Sequence, residues 1–212
     1  MAVATDCSGF VSADFDVFAL EGFEARMAAL RGHLRPRLVV LADALAPRLS
    51  RLAGTTLYPH VAAHMRRSVN PPPETWAAFG PDPRRYKALA HYALGIDRDG
   101  LWLRLVLKDE ALADRQALAR RLAAAPRSAL ADLPADMDVR TAVAAHPLRE
   151  RPSETEVARL GRARDAQWAV GRTIPRTDPA LGSRRGVEAL AAEVLTALLP
   201  LWHRLPSWPE SV

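Results

Sequence analysis

The chain has 212 residues, 49% hydrophobic and 25% charged, with a formal net charge of +5 and one cysteine, Cys7. This is the composition of a folded globule long enough to bury a core unaided, and a lone cysteine excludes an intramolecular disulfide and a cysteine-rich zinc site. The longest apolar runs, near Leu38–Leu41 and Val194–Trp202, fall short of the roughly 20 residues of a membrane helix. The N-terminal stretch with Asp14, Asp16, Glu21 and Glu24 does not resemble a signal or transit peptide, so a cytoplasmic protein without a membrane partner is expected.

The charge is unevenly placed. Residues 1–30 carry one basic against five acidic side chains, residues 31–108 thirteen against five, and residues 109–212 fifteen against fourteen. An anionic partner is therefore expected to meet the middle of the chain. Of the 29 basic residues only Lys87 and Lys108 are lysines. In a chain this rich in arginine a retained lysine, Lys87 in particular, is a candidate for a compact, titratable ammonium.

Asp14 is a candidate N-cap of a short helix over Asp14–Ala19. From Glu21, Phe23, Met27, Leu30 and Leu34, then Leu38, Leu41, Leu45, Leu49 and Leu52, recur at helical spacing across Pro36 and Pro47. That spacing predicts two consecutive helices ending at Gly54. Leu57–His64 and Thr75–Phe79 read as extended, separated by Asn70-Pro71-Pro72-Pro73, which cannot be helical. His91–Ile96 and Leu101–Leu107 predict an antiparallel hairpin turning at Asp97-Arg98-Asp99-Gly100. A helix over 110–124 follows, then strands at Val139–Ala145 and Gln167–Thr173. Between them lies a charged helix capped by Ser153, with Glu156 completing a capping box. An amphipathic helix over 185–203 closes the chain, and the tail over 206–212 is expected to be loose. Strands in hairpin order with helices at both ends predict a single α+β domain over 1–205. Its mostly antiparallel sheet is flanked by N-terminal and C-terminal helices.

Residues 57–92 differ from the rest: His60, His64, Arg66, Arg67, Asn70, Trp76, Tyr86, Lys87 and His91 fall within 32 residues. His60 and His64 have the spacing that ligates zinc from one helix face. In an extended segment they stand about 13 Å apart, and no acidic residue lies between Leu57 and Pro73 to complete a set. Neither a metal nor a cofactor is expected. On a strand His60, His64 and Arg66 share a face, and Arg66 or Arg67 can hold a phosphate or carboxylate bidentately. Lys87 and His91 can converge on the same place, Asn70 can present its amide, and Trp76 and Tyr86 can stack on a planar group. The expected function is binding of a small anionic, phosphorylated ligand in a basic pocket formed by residues 60–91. The alternative is a single-stranded nucleic-acid-binding module, for which interleaved aromatics and basic charge speak, although no recognised binding motif is present. For Trp76 core packing is the plainer reading, and for Arg85 a solvated position. No nucleophile elbow, P-loop or dinucleotide glycine fingerprint occurs. If the site does chemistry, His64 or His91 is the candidate acid or base.

The string Arg66-Arg67-x-Val69-Asn70-Pro71-Pro72, preceded by His60 and His64 and followed by Thr75-Trp76, resembles the signature of the YktB-like family of uncharacterised bacterial proteins. Arg84, Tyr86, Lys87 and His91 are similar to a second family block, Arg-Gly-Tyr-Lys then Pro-His, from which Arg85 and Ala90 depart. Asp14-Phe15, Phe18, Glu21-Gly22, Arg26-Met27 and Pro36 also fit. The resemblance is dense over the first half and thin beyond residue 110. It implies one compact mixed α/β domain and brings no activity with it.

Overall fold

The computed structural model describes residues 9–65, 68–125, 128–142, 144–150 and 152–209. Its centre is set by the two-residue period of strands β3 (His91–Asp97) and β4 (Gly100–Leu107). Tyr92, Leu94 and Ile96 face the same side as Leu101, Leu103, Leu105 and Leu107, because successive side chains on a strand point to opposite faces. The hairpin turns where expected: the Asp97 carboxylate accepts from the backbone N–H of Asp99 (2.8 Å) and Gly100 (3.0 Å). Around it lie β1 (Tyr58–Val61), β2 (Glu74–Gly80), β5 (Asp138–Thr141), β6 (Ala145–Pro147) and β7 (Trp168–Pro175). They form one seven-stranded sheet in the order β1-β2-β3-β4-β7-β5-β6, antiparallel at every pairing.

The helices are α1 (Ser12–Asp16), α2 (Phe23–Ala29), α3 (Arg35–Ala53), α4 (Leu112–Ala124), α5 (Glu154–Arg162) and α6 (Arg184–Trp202). All six place buried residues in a single apolar cluster with the leucine-bearing sheet face. The two longest, α3 and α6, pack on each other, α3 also on β1 and α6 on β4. The opposite sheet face holds only a small cluster, Ala78, Ala93, Trp102 and Val106, to which no α-helix contributes. The chain is thus an α+β domain whose antiparallel sheet is flanked by N-terminal and C-terminal helices, with its second face open. No helix among the described residues is long and apolar enough to cross a membrane.

Several boundaries differ from the sequence reading, each for a local reason. Asp14 is not the N-cap of α1; Val11 is, and the Asp14 carboxylate reaches back to accept from the Val11 N–H at 2.7 Å. The two predicted helices to Gly54 are α2 and α3, joined without a break by a π-helical stretch over Leu30–Leu34. Pro36 lies in the first turn of α3, directly after the π-helical stretch, where the hydrogen-bond register of the helix changes. β1 stops at Val61 rather than His64, which adopts φ 51. The strand predicted over Val139–Ala145 is two strands, β5 and β6, paired as a hairpin. The expected loose tail is tied down as far as Pro209: Trp208 packs edge-on against Trp202, ring centres 5.0 Å apart. The capping box of α5 forms as the sequence predicts, with Ser153 Oγ accepting from Glu156 N and Glu156 Oε2 from Ser153 N.

β1 is one edge of the sheet. The Ala62 N–H donates to Trp76 O, so along β1 the even-numbered residues bond to β2 and the odd-numbered ones, Pro59 and Val61, turn their nitrogens outward.

Three buried polar side chains hold the elements in place. Asp14 is 0% exposed and receives His33 Nε2 at 2.6 Å, fastening α1 to the π-helical stretch. Arg115, on α4, donates to the carbonyls of Leu160 (2.8 Å) and Ala163 (3.0 Å), satisfying acceptors left open at the C-terminus of α5. The buried Asp114 carboxylate accepts from the N–H of Ala90 at 2.7 Å and of Ser207 at 2.9 Å, joining the start of β3 to the end of the chain. Such charge-assisted bonds contribute about 1.5–3 kcal/mol each. Asp114→Ala is therefore expected to lower the unfolding free energy by about 3 kcal/mol in urea titrations, and Asp114→Asn by less. A loss below about 0.5 kcal/mol for the alanine variant would show that water replaces the carboxylate without cost.

Candidate functional site

The open sheet face is shaped by small residues that let large ones lie flat. A Cβ on Gly95 would stand 2.0 Å from the Trp102 indole, so only glycine at this cross-strand position lets that ring lie across β3. At Gly171 a Cβ would meet first the Leu103 carbonyl oxygen of the neighbouring strand, at 1.9 Å, and then Arg104 Cα and Cγ at 2.7 and 2.9 Å. Between these side chains, over a floor that includes Ala93 and Ala169, runs a groove of about 210 Å³. Trp76, His91, Arg104, Lys108, Arg140 and Gln167 are among its walls. A wider depression of about 790 Å³ lies between α4 and α5, lined largely by Ala119, Leu122, Ala123, Val157 and Ala158. Binding sites are marked by a few converging polar groups rather than by volume alone, and those converge on the smaller groove.

Its charges are not equivalent. Arg104, 3% exposed, donates from Nε and an NH2 nitrogen to the two Asp138 oxygens, both at 3.2 Å, and to Thr173 Oγ1 at 2.7 Å. Arg140 lies 3.8 Å from the same carboxylate. One aspartate thus serves two guanidinium groups. Lys108 is different: half-buried, its ammonium lies 5.1 Å from the Trp76 ring centre and donates to Gln167 Oε1 at 3.3 Å, with no ion pair among the described residues. Burial lowers its pKa; the negative charge of Glu74 opposes this, and the positive charge of Lys87 adds to it.

The sequence-predicted residues are distributed as follows. His60 stacks on Tyr86 (4.8 Å between ring centres), and Tyr86 meets His91 edge-on at 5.0 Å. His64 stands edge-on to Trp76 at 5.4 Å and bonds through Nε2 to Thr75 Oγ1 at 3.1 Å. The expectation that His60 and His64 share a strand face does not hold, because β1 ends at Val61. Trp76 and His91 line the groove; Asn70 and Lys87 are exposed. Arg66 and Arg67 lie outside the described residues. Among the described residues no group of three or more His, Cys, Asp or Glu is placed to hold a metal ion.

Trp102, Arg104, Arg140 and Gln167 are not marked by the sequence reading, and Lys108 is marked only as one of two lysines. For three of them a signal is present in Gly100-Leu-Trp-Leu-Arg-Leu-Val-Leu-Lys108: the leucines take one face, which leaves Trp102, Arg104 and Lys108 together on the other.

His91 is fully buried, and its Nδ1 lies 2.9 Å from Leu89 O. A carbonyl can only accept, so Nδ1 carries the proton and Nε2 presents a lone pair with no hydrogen-bond partner among the described residues. Burial pushes the imidazole down to about 4, with the charges of Lys108 and His60 acting in the same direction and the Leu89 hydrogen bond against it. The unfolded chain takes up this proton below about pH 6.5, whereas the folded chain resists it down to about pH 4. Stability therefore falls as pH drops through that window. The contribution of His91 to the difference between pH 7 and pH 4 is about 3 kcal/mol, and urea unfolding of His91→Gln should lack it.

Comparison with known proteins matches the chain, over residues 10–202, to a domain of unknown function, DUF1054. A UPF0637 protein of Lysinibacillus sphaericus is 33% identical over 196 residues, covering 90% of this chain and 92% of the relative. One from Macrococcus caseolyticus is 33% identical over 199 residues, 91% and 97% of the two chains. A Bacillus velezensis relative reaches 47% identity over 87 residues, 41% of each chain. With the family model spanning nearly the whole fold, the chain belongs to the UPF0637, YktB-like family of uncharacterised bacterial proteins.

Proposed function

We propose that the protein binds a small anionic, phosphorylated ligand in the groove on the open face of its sheet. The observation that carries this reading is Lys108: a half-buried ammonium without an ion-pair partner among the described residues, beside two tryptophans, in a groove whose two arginines already share Asp138. A cation held partly away from water and not ion-paired favours an incoming anion more than a solvated one does, although the Glu74 carboxylate on the groove wall opposes it. Trp76 and Trp102 provide flat apolar walls, and Lys87 adds a second ammonium whose field is felt at Lys108. In this form the site joins Trp76 and His91, from the predicted segment 60–91, to residues of β4 and β7.

Single-stranded nucleic acid is the second reading, favoured by a sheet face open on one side and carrying tryptophans among basic groups. Against it, Trp102 is only 5% exposed and offers little face for a base to stack on.

Thermal denaturation with inorganic phosphate, phosphorylated metabolites and a short single-stranded oligonucleotide distinguishes the two. The small anions should raise the melting temperature of the wild type. Lys108→Ala should weaken their binding about ten- to a hundred-fold, as expected for one charge-assisted contact. Arg98→Ala, exposed on the β3–β4 turn, serves as the control and should bind as the wild type does. If no small anion stabilises the protein while the oligonucleotide does so with a steep salt dependence, the nucleic-acid reading replaces this one.

A further inference from the structure

We propose that Lys108 is a nucleophilic amine that forms an imine with an anionic aldehyde or ketone held in the open-face groove, an inference that rests on the anion site proposed above. Three observations converge. The chain uses arginine for 27 of its 29 basic residues and keeps lysine at two positions. Those two, Lys87 and Lys108, are close enough for the charge of one to act on the other. An arginine in place of Lys108 could still attract an anion, but a guanidinium stays protonated and is no nucleophile, whereas an amine gives up its proton when burial and a neighbouring cation favour the neutral form.

The second observation is position. Lys108 follows β4 directly, and its nitrogen is fixed by the Gln167 side-chain oxygen at 3.3 Å and the Trp76 face at 5.1 Å. No carboxylate among the described residues is ion-paired to it, so only the Gln167 hydrogen bond must give way before the nitrogen reacts. The third is the surroundings. The indoles of Trp76 and Trp102 line the groove, and His91 is kept neutral, so it adds no competing positive charge beside the amine.

The chemistry balances without a further reagent. The ammonium releases one proton to solvent, and the amine lone pair attacks the carbonyl carbon to give a carbinolamine. The carbonyl oxygen then leaves as water, carrying the nitrogen proton it took in the carbinolamine and one from solvent, as the C=N bond forms and the nitrogen keeps its last proton. One ammonium and one carbonyl compound become one protonated imine and one water.

The test uses the whole chain with pyridoxal 5′-phosphate as an anionic aldehyde probe and borohydride to fix the imine as a secondary amine. Peptide mass spectrometry then locates the adduct, a clear assignment because the only other amines are Lys87 and the amino terminus. At pH 7 Lys108 should be labelled at least ten-fold faster than either, inorganic phosphate should slow the labelling, and Lys108→Arg should carry no adduct at that position. Pyridoxal, which lacks the phosphate, should label Lys108 more slowly. Labelling of Lys87 or the amino terminus as fast as Lys108 overturns the proposal, whether or not the arginine variant folds. Phosphate that stabilises the protein in the absence of any Lys108 adduct overturns the imine and leaves the anion site standing. Equal rates with and without the phosphate group overturn the anionic character of the substrate.

Discussion

Gly95 and Trp102 face each other across β3 and β4, and the open side of the molecule depends on that pair. The two-residue period sends the leucines of β4 into the helical layer and sends Trp102, Arg104 and Lys108 the other way. A strand whose second face met water alone would carry small or scattered polar groups there. Here that face carries an indole, a guanidinium and, beyond Val106, an ammonium, and the indole lies flat only because residue 95 is glycine. Bulk at Gly95 would lift Trp102 off the sheet and fill the groove from below, and bulk at Gly171 would meet the Leu103 carbonyl of the neighbouring strand. The groove is thus a product of register: a slip of one residue between β3 and β4 would exchange its lining with the leucines of the core.

The buried polar groups divide into those that hold the fold and those left with capacity. Asp14, Asp114 and Arg115 spend their hydrogen-bonding atoms mainly on backbone groups or on partners fixed by the fold, joining elements far apart in sequence. Arg104 and Asp138 form a closed pair with Thr173, an arrangement that desolvation makes costly to disturb and that positions β5 against β4 across β7. Around the groove, by contrast, His91 Nε2, the indole nitrogens of Trp102 and Trp168 and Arg140 Nε have no hydrogen-bond partner among the described residues. Buried polar atoms are seldom left so, and all four belong to residues that line one groove.

Most of the fold was legible because it is written in period and punctuation. Phe23 to Leu52 at spacings of three and four gave α2 and α3, the alternation around Asp97–Gly100 gave the central hairpin, and Ser153 with Glu156 gave the start of α5. What was not legible depended on contacts between distant residues. Nothing local in Pro206–Pro209 says that Ser207 meets Asp114, 93 positions away, or that Trp208 packs on Trp202. The site was half legible. Trp76, Tyr86 and His91 stood out by type and density, whereas the groove also needs Arg140 and Gln167, which sequence places far from that cluster and only the pairing of β4, β7 and β5 brings near.

The edge strand β1 bears on how the molecule meets its own copies. An unpaired strand ordinarily offers a row of donors and acceptors to any extended chain that drifts against it. Along β1 the outward-turned positions are Pro59 and Val61, and proline has no hydrogen to give. A single N–H therefore remains among those positions, beside the carbonyls of Pro59 and Val61, so a visiting strand meets fewer donors than an ordinary edge offers. The sheet ends at β1, and a crowd of identical chains is denied one ready route into a growing fibre.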